Sequence, residues 1–239
     1  MESTELEIEE KKESSISKMD RIKYGIVGIL YFIAIILSNL GVLFKPLYKK
    51  VYYGQANGYF RYGFGIAFLI LFYCLIKFVL EKRLNVSYKK DKSNLSWRMT
   101  GILFAITFVV IFIICAIIGF EIKPFYDLGN NTTGFKIGIS ATELAYNTVA
   151  LFLAIHMIEN FQYALDDIIP FKNEKVNLYL PYGGVATMLT YGIYALCFGI
   201  GGSLQVLYFF MIILYGEIYL LCKRNVLKTF ASCGLMFIL

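Results

Sequence analysis

The chain has one histidine, one tryptophan and four prolines, and the scarcity of histidine alone excludes any metal centre built from two or more imidazoles. It also lacks a glycine-rich phosphate loop next to a lysine, a GxSxG elbow and an HExxH pair, so the common signatures of nucleotide binding, serine hydrolysis and zinc proteolysis are missing. Cysteine is present but unpaired in sequence. Cys74, Cys115, Cys197, Cys222 and Cys233 lie in or at the ends of apolar runs with no CxxC spacing, which argues against a disulfide framework or a zinc knuckle and for packing. Charged residues make up only 17% of the chain, and the formal net charge of +6 comes from lysines and arginines scattered in short stretches between apolar runs. No basic face is formed, and nucleic acid is not an expected partner.

What the sequence has instead is apolar length. Hydrophobic residues account for 58% of the chain, more than a soluble domain carries, and they gather in runs long enough to cross a bilayer. The N-terminus is the exception: residues 1–23 hold seven acids and five bases and too little apolar surface to offset the entropy of ordering. Residues 1–21 are therefore expected as a mobile polar tail and 22–239 as a single helical membrane domain. Because the tail is acidic and the first run, 22–44, is long enough to span, that run reads as a retained anchor rather than a cleavable signal. Further runs at about 59–80, 97–120, 139–165, 180–200 and 204–222 predict an all-α, polytopic protein with about six full transmembrane helices. The glycines Gly199, Gly201 and Gly202 mark the turn between the last two. A final run, 226–239, is predicted as a short C-terminal apolar helix of only about 21 Å against a hydrocarbon core of about 30 Å.

Lysine and arginine set the expected orientation. With six spans, sixteen of these residues fall on the side of the N-terminus and six on the other, with Lys77 inside the second run. The bias predicts an integral cell-membrane protein with a cytoplasmic N-terminus and the lipid bilayer as its first partner. Asn130 to Thr133 would then face outward. The tyrosine-rich stretch 45–63 and Trp97 suit the headgroup region.

Ionisable side chains at membrane depth are costly, about 3 kcal/mol each on insertion scales, and mark candidate sites. Lys77 is close enough to a span end to extend its ammonium to water, and Glu143 with Asn147 reads as a solvated helix end. His156, Glu159 and Asn160 differ, because spacings of three and four put all three on one helical face, continued by Gln162 and Tyr163. Glu159 lies about 10 Å inside the boundary at Asp166, and Glu217 in the sixth run lies at a similar depth from Arg224. The polar site expected from sequence is thus His156, Glu159, Asn160 and Glu217. Three chemistries suit it: a hydrogen-bonded cluster that fixes helix register, a protonatable centre for proton or solute movement, or a divalent metal such as zinc, for which Glu217 would have to complete HxxE. No cofactor is required by the pattern. Ser38, Ser140, Ser203 and Ser232 give no reason to pair any one of them with His156.

From Glu159 onward the chain resembles the CAAX-protease and bacteriocin-processing family (Abi, CPBP) of intramembrane endopeptidases. Members carry EExxxR, then FxxxH, then HxxxN or HxxxD on successive helices. Here these stations fall on Glu159, Asn160 and Ala164, on Tyr194 and Phe198, and on Cys233 and Phe237. The resemblance implies Glu159 and Asn160 as remnants of the catalytic motif. One acid, the arginine and both histidines are lost, so it implies a non-catalytic relative with a regulatory, immunity or scaffolding role toward another membrane protein or peptide. The alternatives are a small transporter or channel component using His156, Glu159 and Glu217, and a surviving metalloenzyme.

Overall fold

Ser17 opens the first helix: the Asp20 N–H donates to its hydroxyl oxygen at 3.1 Å, as expected of a capping serine. The cap starts the helix one turn ahead of the apolar run. The computed structural model describes residues 17–39, 56–88, 96–118, 134–166, 168, 180–197 and 203–233. Residues 1–16 of the expected tail, most of the tyrosine-rich loop, the Asn130 to Thr133 stretch, the turn glycines, Phe198, Phe237 and the side chain of Cys115 lie outside the described residues.

Among the described residues all regular structure is helical. We number the helices α1 (Lys18–Asn39), α2 (Ala56–Cys74), α3 (Glu81–Arg83), α4 (Trp97–Ile118), α5 (Gly134–Leu165), α6 (Tyr182–Cys197), α7 (Ser203–Leu221) and α8 (Val226–Cys233). A π-helical turn, Leu75–Leu80, joins α2 to α3 without a break. Three stretches are long and apolar enough to cross a membrane: Lys18–Ser38, Arg61–Arg83 and Gly138–Leu165.

α5 is the centre. Every residue from 155 to 164 is buried, and α1, α2, α6, α7 and α8 all pack on it. Its two sides serve different cores. Leu153, Met157 and Phe161 join Val27, Tyr31 and Ile35 of α1, Leu69 of α2 and Ile76 of the π turn. Leu151, Ile155 and Ile158 join Met211, Tyr215, Ile218 and Tyr219 of α7 with Cys222 and Cys233. The 155–164 stretch, enclosed on all sides, shows no single apolar stripe, and that is why polar and apolar residues alternate round it.

The outer helices are apolar on both sides. On α1, Ile22, Ile26, Ile29 and Ile33 are exposed, opposite the buried Val27, Tyr31, Ala34 and Ser38; on α4, Ile102, Ile106, Val109, Phe112 and Ile113 are exposed. A contiguous apolar surface of this kind suits lipid rather than water.

The same contacts bring one set of helix ends together. Tyr24 near the start of α1 stacks on Tyr163 near the end of α5, centroids 5.2 Å apart. Asp166, just past α5, binds Arg224 just past α7. Gln162 is the joint with α6: its Nε2 donates to Asp166 Oδ1 at 2.9 Å and to the Leu180 carbonyl at 3.1 Å, and its Oε1 accepts from the Gly183 N–H at 2.8 Å. Gln162 is fully buried. Gln162→Leu is expected to cost about 1–3 kcal/mol, because it strands the buried Gly183 N–H, while the Leu180 carbonyl keeps the Tyr182 N–H at 2.9 Å. A fall in the thermal midpoint of the detergent-solubilised protein measures it, and an unchanged midpoint would refute the role.

After α7 the chain turns through two non-glycine residues in the left-handed region, Lys223 at φ 56° and Arg224 at φ 55°. The turn is closed by Lys223 N–H to Leu220 O at 2.9 Å and Arg224 N–H to Tyr219 O at 3.0 Å, which satisfies carbonyls at the helix end. Asn225 then caps α8 by accepting from the Lys228 N–H at 3.1 Å. α8 runs back along α4, where Thr107 donates to the Ser232 carbonyl at 3.0 Å.

Candidate functional site

The spacing of His156, Glu159 and Asn160 works as the sequence predicts. All three are buried, and the structure joins them directly: His156 Nδ1 lies 3.0 Å from Glu159 Oε2, and Asn160 Nδ2 donates to the His156 carbonyl at 2.8 Å. A carboxylate only accepts, so the proton of this pair resides on Nδ1 when Glu159 is ionised. The other ring nitrogen, Nε2, has no hydrogen-bond partner among the described residues. The imidazole sits in an aromatic box, with centroids 5.5 Å from Tyr31, 5.4 Å from Tyr73 and 4.9 Å from Phe152.

Glu217 does not join this group. Glu159 Oε1 is reached instead by the Tyr219 hydroxyl, at 3.4 Å. Two residues apart on one helix point to opposite sides, so the buried Tyr219 leaves Glu217 half-exposed on the far side of α7. Depth alone pointed to the acid; the phase of the helix selects the tyrosine.

Sequence reasoning missed Glu81. In an unbroken α-helix Leu80 would follow Ile76 on the inner face, but the wide turn, with the Glu81 N–H bonded to the Ile76 carbonyl, brings position 81 inward. Glu81 is buried. Its Oε2 lies 2.8 Å from Lys77 Nζ, and its Oε1 accepts from Tyr31 at 3.2 Å and Tyr88 at 2.8 Å. Lys77 is therefore an ion-pair partner as well as a partly exposed side chain. The i, i+4 Lys–Glu spacing was the available signal.

Tyr88 links the two acids' surroundings. Its hydroxyl is also 3.0 Å from Asn160 Oδ1, and Lys77 Nζ lies 4.5 Å over its ring. Burial, then the charge of Glu81, raises the Tyr88 phenol above its ordinary range, so it stays a neutral donor. At Arg224 burial works against the charge, but Asp166 outweighs it and holds the guanidinium above its usual value.

A zinc-type site does not fit these residues. Zinc needs at least three protein ligands, and among the described residues no group of three His, Cys, Asp or Glu side chains converges. Apart from the Glu159 carboxylate, the side chains packed round the His156 ring are the phenols of Tyr31 and Tyr73 and the phenyl ring of Phe152. Of the motif stations of the endopeptidase resemblance, Tyr194 packs edge-on against Phe32 of α1 with centroids 6.2 Å apart, Cys233 lies in the core with α5 and α7, and Phe198 and Phe237 lie outside the described residues. The chain matches no protein-family model, no curated protein and no solved structure.

Proposed function

We propose that the chain is a six-span protein of the cell membrane with a cytoplasmic N-terminus that acts by binding other membrane proteins or peptides, in a regulatory, immunity or scaffolding role, without hydrolysing them. The observation that carries this reading is how Glu159 and Asn160 are used. At the positions where an endopeptidase of the CAAX-processing type would begin its acid motif, Glu159 is bound by His156 and Tyr219 and Asn160 by Tyr88 and its own helix. The four side-chain polar atoms of the pair thus all have partners within the bundle. Polar groups tied to one another between helices act as packing glue of modest strength. The six-span topology is supported by the convergence of alternate helix ends, at Tyr24, Asp166 and Arg224, and by apolar side chains exposed on α1 and α4. The lysine and arginine bias supports the orientation.

The second reading, a proton-coupled transporter or channel component, is favoured by one feature, the buried imidazole with a bare Nε2 beside a carboxylate. Both readings meet at Glu159→Gln, which keeps shape and removes charge. Purified protein in proteoliposomes is expected to leave prenylated and leader peptides uncleaved with or without added zinc, and the variant is expected to leave proton flux at the wild-type level. Cleavage that the variant abolishes would overturn the first reading. Flux that the variant abolishes would replace it with the second.

A further inference from the structure

Just past α3 the chain reverses and runs back across the bundle. Asn85 makes the reversal in the left-handed region, φ 52°, where asparagine is tolerated better than most residues. The Val86 N–H bonds to the Glu81 carbonyl at 3.0 Å, which folds residues 84–88 onto the ends of α1 and α5. Three contacts hold the segment. The Tyr24 hydroxyl donates to the Ser87 carbonyl. The Tyr88 ring packs on Tyr24 at 5.7 Å and edge-on against Tyr163 at 5.6 Å. Val86 packs with Tyr88 on the Tyr24, Tyr163 and Ala164 cluster.

What lies beneath is the polar column. Tyr88 is the only residue of this segment that hydrogen-bonds to both Glu81 and Asn160 among the described residues, and Asn160 is fully buried beside His156. We propose that residues 84–88 are a strap that seals the His156–Glu159–Asn160 column from the aqueous phase at this end of the bundle, and that its release opens the column to water. The attachment is suited to release. Leu84, Val86 and Tyr88 are only half-buried, Asn85 and Ser87 are exposed, and no residue of the segment is fully buried: beyond two hydroxyls and a ring stack, its fastening is the partial packing of Leu84 and Val86 on the core. Segments with few buried apolar contacts are those that open locally at low cost. This inference stands whether the column binds a partner or moves a proton, because it concerns access alone.

Thiol accessibility tests it. His156→Cys, which leaves both hydrogen-bond acceptors of Tyr88 in place, is introduced into the full chain in proteoliposomes, and its labelling by a charged, membrane-impermeant methanethiosulfonate is followed with and without Tyr88→Ala. Labelling is expected to be slow with the strap intact and about tenfold faster without Tyr88, the factor given by losing roughly one hydrogen bond's worth of closure. Tyr24→Phe, which removes the bond to Ser87 but keeps the ring, should give a smaller increase in the same direction. The buried Cys222 and Cys233 are the internal control. They must stay protected, because labelling at all three positions reports unfolding; in that event Tyr24→Phe alone decides. Fast labelling with the strap intact overturns the proposal, and so does an unchanged rate in whichever variant remains folded.

Discussion

Gly183→Ala is expected to destabilise the protein by about 4 kcal/mol or more, beyond the ordinary range for an overpacked site. A Cβ at this position would stand 2.1 Å from the Ile158 carbonyl oxygen and 2.9 Å from the Gln162 nitrogen. Both are backbone atoms of the central helix, which cannot swing aside as a long side chain can. The same approach lets the Gly183 N–H reach Gln162 Oε1 at 2.8 Å, so moving α6 outward would break that bond as well. Close helix contact through glycine is how bundles in lipid gain packing energy when no hydrophobic drive exists between helices. A second contact of this kind ties α6 to α7, where a Cβ on Gly184 would lie 3.1 Å from the Gly216 Cα. Gly25→Ala and Gly101→Ala supply the comparison, since a Cβ at either position meets nothing within 4 Å. They are expected to be neutral or to stabilise by about 0.5–1 kcal/mol through helix propensity. Thermal midpoints in one detergent separate the two classes; a Gly183→Ala midpoint equal to that of Gly101→Ala would refute the close approach.

The sequence carries the helices and one face of the site, and the reason is periodicity. Apolar runs locate α1, α2, α4, α5, α6 and α7 to within a few residues, because a bilayer-length run has few alternatives to helix. The ends shift where local chemistry intervenes, as when Ser17 starts α1 ahead of the apolar run. His156, Glu159 and Asn160 were legible because they share a helix and their spacing fixes their relation. Everything contributed by other helices was harder to read. Tyr219 carries no charge to mark it, and the nearby Glu217 drew attention by its charge, yet rotation about α7 decides between them. Glu81 stood at the apparent end of a span, and nothing in the residues 75–80 announces a turn one residue wider than an α-helical one. α8 illustrates the same limit. Within the short helix expected over 226–239, the described part, Val226–Cys233, buries Lys228, Thr229, Ser232 and Cys233 and sets Lys228 Nζ 5.6 Å over the Trp97 ring, contacts that apolar length does not announce.

That wide turn makes the strongest electrostatic prediction. Glu81→Leu removes the acceptor of three groups at once, the Lys77 ammonium and the Tyr31 and Tyr88 hydroxyls. Removing one partner of a buried pair costs about 3–5 kcal/mol, because the remaining charge is stranded. Lys77 is 27% exposed and can turn partly toward water, so the lower end, about 3 kcal/mol, is expected here. Lys77→Met alone leaves a buried carboxylate with two hydroxyl donors and should cost less. The double variant Lys77→Met/Glu81→Leu distinguishes a stranded charge from lost packing. When both charges go, the desolvation of each goes with them, and an apolar pair of similar volume is often as stable as the ion pair it replaces. The double variant is therefore expected to recover at least half of the loss caused by Glu81→Leu, giving a coupling energy of about 1.5 kcal/mol or more in a double-mutant cycle. Losses that simply add would show that Lys77 and Glu81 do not interact, and the π turn would then have no electrostatic purpose. Recovery would identify the turn as the device that brings the acid into contact with donors from its own turn, from α1 and from the 84–88 segment.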